Sequence, residues 1–204
     1  MNSTKFKGHP HPTFFLRGPI QIGKSTFLRR KVAELDISTA GLVTQKVFEG
    51  DKRRGFEAIS FQGQIPGREG QYKEGSRLFI DLGVYDEAVL AGKIKETVRF
   101  AREDSVQLIY LDEIGGPELE DDDITEDLLK IITSGKLVVG VLKSMAHLLL
   151  KIGPKVDAEK IKVNYGRIAD AIAESDFLVD IESIEDDLES KWRAWLGINC
   201  LVEE

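Results

Sequence analysis

The chain has 204 residues, of which 42% are hydrophobic and 31% charged, values that favour a single globular domain over residues 1–204 and exclude a disordered or fibrous protein. The formal net charge of −7 argues against binding to nucleic acid or an anionic membrane surface, and no apolar run approaches the about 20 residues of a membrane span. Because the N-terminus lacks a signal-peptide pattern and Cys200 has no second cysteine to pair with, we expect a cytoplasmic protein without disulfides.

The first predicted elements are a strand, a glycine loop and a helix. Residues 13–17 (TFFLR) form an apolar run of strand length, and residues 24–35 (KSTFLRRKVAEL) place apolar side chains near helical spacing. The intervening residues 18–25 (GPIQIGKS) match the pattern G-x-x-x-x-G-K-[ST]. Such a loop turns backbone N–H groups and the positive end of the following helix towards phosphate. The sequence therefore predicts a nucleotide-binding P-loop, in preference to a glycine turn with a solvated lysine.

The residues of the P-loop have expected roles. We expect Lys24 to neutralise the β- and γ-phosphates during catalysis and the Ser25 hydroxyl to bind Mg²⁺. Gln21 stands where many P-loops have a third glycine, so a positive φ there would strain the backbone. The residues expected to surround the nucleotide phosphates are Gly18, Pro19, Ile20, Gln21, Ile22, Gly23, Lys24, Ser25 and Thr26.

The segment after the P-loop helix predicts an inserted β-hairpin and then a long loop. Residues 41–48 (GLVTQKVF) and 55–61 (GFEAISF) are β-rich and are joined by turn residues. Residues 62–77 contain four glycines and a proline without a core pattern, which indicates an exposed loop. Loops of this length are often functional. A helix is predicted next, at residues 86–103.

A second motif ends the next predicted strand, at residues 106–111. Residues 108–113 (LIYLDE) are an apolar run followed by two carboxylates. Ligands of open α/β sheets bind at the carboxyl ends of the strands, so Asp112 and Glu113 are expected beside the P-loop. We expect Asp112 to hold Mg²⁺ and Glu113 to act in catalysis by accepting a proton from an attacking water. Acidic residues that merely end the strand are the alternative.

The remaining segments alternate between helix and strand. Residues 137–142 (LVVGVL) have the continuous apolar character of a strand buried on both faces. The alternation predicts an α/β fold, a three-layer P-loop NTPase sandwich with a mostly parallel sheet. The other predicted elements are helices at residues 123–133, 144–151, 167–175 and 184–196, and a strand at residues 161–163.

Three segments together carry a family resemblance: residues 18–26, 41–56 (GLVTQKVFEGDKRRGF) and 111–119 (LDEIGGPEL). In this order, over about residues 13–145, the chain resembles the nucleoside-triphosphatase family described as cancer-related and nucleotide-kinase-like. The resemblance implies a RecA-like sheet in which the strand at residues 137–142 lies between the P-loop strand and the acidic strand. It also implies Mg²⁺-dependent hydrolysis of ATP, GTP or related triphosphates. The positions that fit the family pattern are Gly41, Thr44, Val47, Gly55, Phe56, Asp112, Glu113, Ile114, Gly115 and Glu118.

Several weaker candidates surround these motifs. Lys143 and Ser144 would either contact the γ-phosphate or form a solvent-exposed helix start. Arg167 would act as an arginine finger or, as is more usual for an isolated arginine, lie on the surface. A basic bias of the hairpin and long loop fits solvated charges better than a polyphosphate site. Its members are Arg53, Arg54, Arg68, Lys73 and Arg77.

These motifs lead to one hypothesis and two alternatives. The hypothesis is a Mg²⁺-dependent nucleoside triphosphatase that hydrolyses the γ-phosphate of ATP- or GTP-type nucleotides by water attack. One alternative is a nucleotide or small-molecule kinase, with residues 62–77 as a lid over an acceptor. The other is a nucleotide-responsive binding module whose slow hydrolysis times an interaction with an unknown protein partner. Glu113 favours hydrolysis, because a second carboxylate beside the metal aspartate suits a base for water.

Overall fold

The computed structural model describes residues 11–149, 156–175, 177–183 and 187–199. Within these ranges the strands are β1 Thr13–Gly18, β2 Thr39–Glu49, β3 Lys52–Gln62, β4 Glu69–Gln71, β5 Ile80–Asp81, β6 Val84–Tyr85, β7 Leu108–Ile114, β8 Leu137–Lys143 and β9 Leu178–Asp180. The helices are α1 Lys24–Ala33, α2 Glu87–Ala101, α3 Asp122–Ile132, α4 Met145–Leu149, α5 Ala158–Ala173 and α6 Leu188–Asn199, with a 3-10 turn at Pro117–Glu120.

The described strands form one sheet in the order β6-β5-β3-β2-β7-β8-β1-β9, with β4 paired to β2. The strands β2, β7, β8, β1 and β9 are parallel to their neighbours in this order. The hairpin of β2 and β3 and the short β5 and β6 extend the sheet through antiparallel pairs. The predicted hairpin and the implied place of β8 between β1 and β7 are therefore confirmed. The carboxyl ends of β1, β7 and β8 lie side by side at one edge.

Helices cover both faces of this sheet. Successive residues of a strand point to opposite faces, so each strand contributes side chains to both helix layers. Phe15 packs into an apolar cluster formed with α2, α3 and α5, whereas Phe14 and Leu16 pack into a second cluster formed with α1 and α6. Trp192 and Trp195 of α6 contact the ring of Phe14, with centroids 5.2 and 5.6 Å away. The continuous apolar run of β1 is thus explained by burial on both sides, and the predicted three-layer α/β fold is confirmed.

Capping aspartates precede α2, α3 and α5. The side chains of Asp86, Asp121 and Asp157 accept backbone N–H hydrogen bonds from the first turns of α2, α3 and α5. These bonds satisfy amides that have no partner inside the helix. Helix α1 differs, because its first residue follows Gly23, which has no side chain to cap the helix.

The predicted strand at residues 161–163 is wrong, since these residues lie inside α5. The β-branched side chains of Ile161 and Val163 suggested a strand, but Ile161, Tyr165 and Ile168 are buried at helical spacing and Asp157 caps the helix. The predicted helix at residues 167–175 is the second half of the same element. The long loop is also less irregular than predicted, because β4 pairs in parallel with β2.

Besides β4, sequence reasoning missed three short strands: β5, β6 and β9. Two or three residues are too few for a pattern of alternation to emerge. Residues 150–151 and 184–186, which belong to two predicted helices, and Cys200 lie outside the described residues. Over the described ranges, no helix combines the length and apolar character needed to cross a membrane.

Candidate active site

The P-loop joins β1 to α1 at the carboxyl edge of the sheet. Residue 18 has to be glycine, because the backbone of Ile181 lies so close that a Cβ at Gly18 would be 2.1 Å from its carbonyl oxygen. Gly23, at φ 98°, turns the chain into the uncapped start of α1. Gln21 has φ 63°, the positive φ at which a residue other than glycine is strained. The loop therefore has the curled backbone that leaves the N–H groups of α1 free to face an anion.

Lys24 folds back over the P-loop. Its Nζ donates hydrogen bonds to the carbonyl of Gly18 at 3.0 Å and to that of Pro19, and the side chain is buried. Burial lowers the pKa of Lys24 below its ordinary value, while the negative charge of Glu113 opposes this shift. The Lys24 ammonium is thus held by backbone carbonyls at the carboxyl edge of the sheet.

Ser25 and Asp112 meet where α1 crosses the end of β7. The Ser25 hydroxyl donates to Asp112 Oδ1 at 2.7 Å, and both side chains are buried. The structure thus brings together the two residues predicted to hold Mg²⁺. A hydroxyl and a carboxylate fit this ion, since Mg²⁺ prefers oxygen ligands and usually takes few of them from the protein. The described residues contain no cluster of three or more His, Cys, Asp or Glu side chains suited to a metal.

Glu113 is turned away from Asp112 by an irregularity in β7. The pairing with β8 passes from Leu111–Gly140 to Ile114–Leu142, so that β7 has two residues where β8 has one. Such bulges re-aim side chains. Asp112 is consequently buried while Glu113, at φ 56°, is exposed. No described residue donates a hydrogen bond to the Glu113 carboxylate, which leaves its oxygens available to a ligand.

A buried carboxylate fixes the turn that follows. Glu118 Oε1 accepts the backbone N–H groups of Gly115 at 3.0 Å and of Gly116 at 2.7 Å. Gly116 leaves room for two side chains of opposite charge, because a Cβ there would lie 2.5 Å from Glu118 Oε2 and 2.9 Å from Lys143 Nζ. The absence of a side chain at Gly116 thus leaves space for Lys143 beside the turn.

One cavity of about 390 Å³ runs along this edge of the sheet. Its first part, the P-loop end, is formed at β1, β7 and β8 by Gly18, Ile20, Lys24, Glu113, Lys143 and Ser144. Its second part, the aromatic end, is formed on β2, β3, β5 and β6 and the adjoining loop by Thr44, Arg53, Phe56, Phe79, Ile80 and Tyr85. Lys24 and Glu113, the two predicted catalytic residues, therefore face the same space.

The family follows from comparison with known proteins. A family model described as NTPase matches residues 13–173. The chain belongs to this NTPase family. It is 29% identical over 134 residues to the nucleoside-triphosphatase THEP1 of Natranaerobius thermophilus, covering 65% of this chain and 75% of the relative. It is 27% identical over 130 residues to the Pyrococcus abyssi THEP1, covering 60% and 69%.

A solved structure, described as a human cancer-related nucleoside triphosphatase, is similar to this NTPase with a TM-score of 0.49 and 17% identity, covering 91% of this chain and 95% of the human one. The family match confirms the predicted family and enzyme class.

Sequence reasoning missed the residue that supports Asp112 in this NTPase. Arg29 Nη2 donates to Asp112 Oδ2 at 3.1 Å, and its Nη1 donates to the carbonyl of Pro66 in the long loop. The guanidinium also lies 5.8 Å from the centre of the Tyr110 ring. The available signal was its position one helical turn after Ser25, which puts both side chains on one face of α1.

The long loop is anchored over the P-loop by the same side of α1. Arg68 Nη1 donates to the hydroxyl of Thr26 at 2.8 Å. Arg54 is instead fully engaged at the surface of the sheet by Asp81 and Glu49. Of the basic residues singled out in the sequence, Arg53 thus lines the cavity and Arg68 contacts Thr26, whereas Arg54 has a structural role.

Arg167 is not brought to the cavity. Its Nη2 pairs with Glu126 and its Nη1 donates to Asn164 Oδ1 at 3.3 Å. Asn164 in turn donates to the carbonyl of Leu119 and to Asp122. This polar group joins α5 to α3 and to the turn after β7, so Arg167 supports the scaffold in the described arrangement.

Proposed function

We propose that this NTPase hydrolyses the γ-phosphate of ATP- or GTP-type nucleotides with Mg²⁺, by in-line attack of a water activated by Glu113. The observation that supports this most is the single cavity in which Lys24 and the free carboxylate of Glu113 lie beside the Ser25–Asp112 pair. Hydrolysis needs a phosphate cradle, charge neutralisation and a base. These three elements meet at the P-loop end.

The phosphate cradle is supplied by the backbone. The first amides of α1 have no side-chain cap, and the dipole of the helix favours negative charge at this end. Lys24 exchanges the carbonyls of Gly18 and Pro19 for oxygens of the β- and γ-phosphates. Its charge then offsets the charge that builds up on these oxygens during transfer.

The metal is held by Ser25 and Asp112. Mg²⁺ supplies positive charge against the phosphates when it is bound. Arg29 occupies the other oxygen of Asp112, which orients the carboxylate towards Ser25. Outer-shell partners of this kind fix the geometry of a ligand and tune its affinity for a metal.

The proton is removed by Glu113. As the water oxygen forms a bond to the γ-phosphorus, the bond from phosphorus to the β,γ-bridging oxygen breaks, and the water proton passes to the carboxylate. The bulge in β7 is what points Glu113 into the cavity rather than at the metal. The products are inorganic phosphate and a nucleoside diphosphate.

Phosphate release measured with ATP, GTP, CTP and UTP, with and without Mg²⁺, tests the proposal. We expect Mg²⁺-dependent release that is lost in Lys24→Ala. Release no greater than in Lys24→Ala would contradict hydrolysis and favour the nucleotide-responsive binding module.

A further inference from the structure

The aromatic end of the cavity is not needed for attack by water. Phe56 and Phe79 have ring centroids 6.5 Å apart, and Phe79 and Tyr85 have centroids 6.4 Å apart in an edge-on arrangement. None of the three rings is fully buried, and Tyr85 is 37% exposed. Aromatic rings that remain open to a cavity, instead of filling the core, provide faces and edges for another planar group.

A cation without a carboxylate partner lies at the same end. The guanidinium of Arg53 is 5.2 Å from the centre of the Phe56 ring, and it forms no ion pair with any carboxylate in the described part of the chain. Its neighbour Arg54 contrasts with it, because that guanidinium is 2.9 Å from Asp81 and 3.2 Å from Glu49. Arg54 is therefore held by two carboxylates, whereas the adjacent Arg53 is available to an anion.

The cavity also contains a nitrogen without a partner. His147 lines it, and His147 Nε2 is buried with no hydrogen bond from or to a described residue. Buried polar atoms are normally hydrogen-bonded. His147 belongs to α4, which follows β8 at the P-loop end, so this nitrogen indicates a polar ligand in the cavity without locating it at the aromatic end.

We propose that the aromatic end binds a second ligand, a planar aromatic molecule that carries a carboxylate or phosphate group. The rings of Phe56, Phe79 and Tyr85 contact the planar part, and Arg53 pairs with the anion. A mostly apolar wall with few placed polar groups is typical of small-molecule sites.

The position of this second ligand rests on the proposed function, which places the γ-phosphate at the P-loop end. Glu113, on β7, belongs to the strand of the P-loop end that is adjacent to β2, where the aromatic end begins. A ligand at the aromatic end therefore lies across Glu113 from the nucleotide. A second ligand in this place is what the alternative of a small-molecule kinase requires.

The test uses phenyl phosphate as a probe of the full chain, by ligand-observed saturation-transfer NMR. Binding of ADP with Mg²⁺ is measured first in the same sample, so that the P-loop is filled before the probe is added. We expect phenyl phosphate to bind beside ADP, and cyclohexyl phosphate, which has the same charge without an aromatic ring, to bind at least several-fold more weakly. Arg53→Gln and Phe79→Leu should each weaken phenyl phosphate binding about tenfold, the scale of one charge-assisted hydrogen bond or one aromatic contact.

Lys52→Gln is the matched control, because Lys52 precedes Arg53 on β3, is exposed and does not line the cavity. It should bind the probe as the parent chain does. Displacement of the probe by ADP, equal binding of both phosphates, or full binding in both Arg53→Gln and Phe79→Leu would overturn the proposal. Because this titration needs no turnover, a failure of hydrolysis is seen separately as absent phosphate release.

Discussion

The two ends of the cavity are built in different ways. The P-loop end depends on short continuous motifs, residues 18–25 and 112–113, at the carboxyl ends of two parallel strands, β1 and β7, that lie on either side of β8. The aromatic end is assembled from residues of β2, β3 and the β5–β6 hairpin, which are brought together by antiparallel pairing. Groups that act on phosphate are thus fixed by local sequence, whereas the groups that would select a second ligand depend on long-range contacts.

The largest expected effect lies at the boundary between the two ends. Glu113→Gln keeps the shape of the side chain but removes the proton acceptor, so we expect kcat for phosphate release to fall by about 10²- to 10⁴-fold. Binding of ADP with Mg²⁺, measured by calorimetry, should persist because Glu113 holds neither phosphate nor metal in our proposal. Glu74→Gln, in the exposed part of the long loop, is the control. Unchanged turnover in Glu113→Gln would remove this residue from the mechanism.

A smaller effect is expected where the long loop joins the P-loop end. Arg29→Ala removes the hydrogen bonds to Asp112 and to the carbonyl of Pro66, and we expect activity or the apparent affinity for Mg²⁺ to fall by about 10- to 100-fold. A Mg²⁺ titration of phosphate release measures it. The control is Arg30→Ala, since Arg30 is the next residue of α1 and points to solvent. Equal Mg²⁺ titrations for the two variants would show that Arg29 does not position Asp112.

One added methyl group, in Gly55→Ala, should disturb the aromatic end and leave the P-loop end unchanged. A Cβ at Gly55 would lie 1.9 Å from the carbonyl oxygen of Ile80, so Gly55→Ala should push β5 away from β3. Overpacking of this kind costs about 1–3 kcal/mol, which urea unfolding measures. ADP binding should be retained, because no contact of the P-loop changes.

Gly92→Ala is the control for that prediction. Gly92 lies inside α2, and a Cβ there meets nothing within 4 Å, so alanine should stabilise the chain by about 0.5–1 kcal/mol. A Gly55→Ala variant as stable as the parent would mean that β5 can move without cost. In that case the aromatic end would be less rigid than the pairing of β3 with β5 indicates.

The difference between the ends also explains what could be predicted from the sequence. The P-loop, the acidic strand end and the order of the parallel strands follow from motifs and apolar runs that are each continuous. Arg29 and Arg68 could not be placed, because their partners Asp112, Pro66 and Thr26 lie on other elements. The aromatic end was missed for a related reason, since β5 and β6 have two residues each and leave no pattern of alternation.

The smallest expected effect concerns strain at the P-loop end. Gln21 has φ 63°, a conformation that costs a residue with a Cβ about 1–2 kcal/mol. Gln21→Gly removes this cost but makes the unfolded chain more flexible, which offsets about 0.4–1 kcal/mol. We therefore expect the free energy of unfolding in urea to rise by up to about 1.6 kcal/mol. Gln64→Gly, at an exposed loop residue without positive φ, should lower it instead. If Gln21→Gly and Gln64→Gly lower the free energy of unfolding equally, Gln21 is not strained. Backbone strain would then not distinguish the P-loop end from the aromatic end.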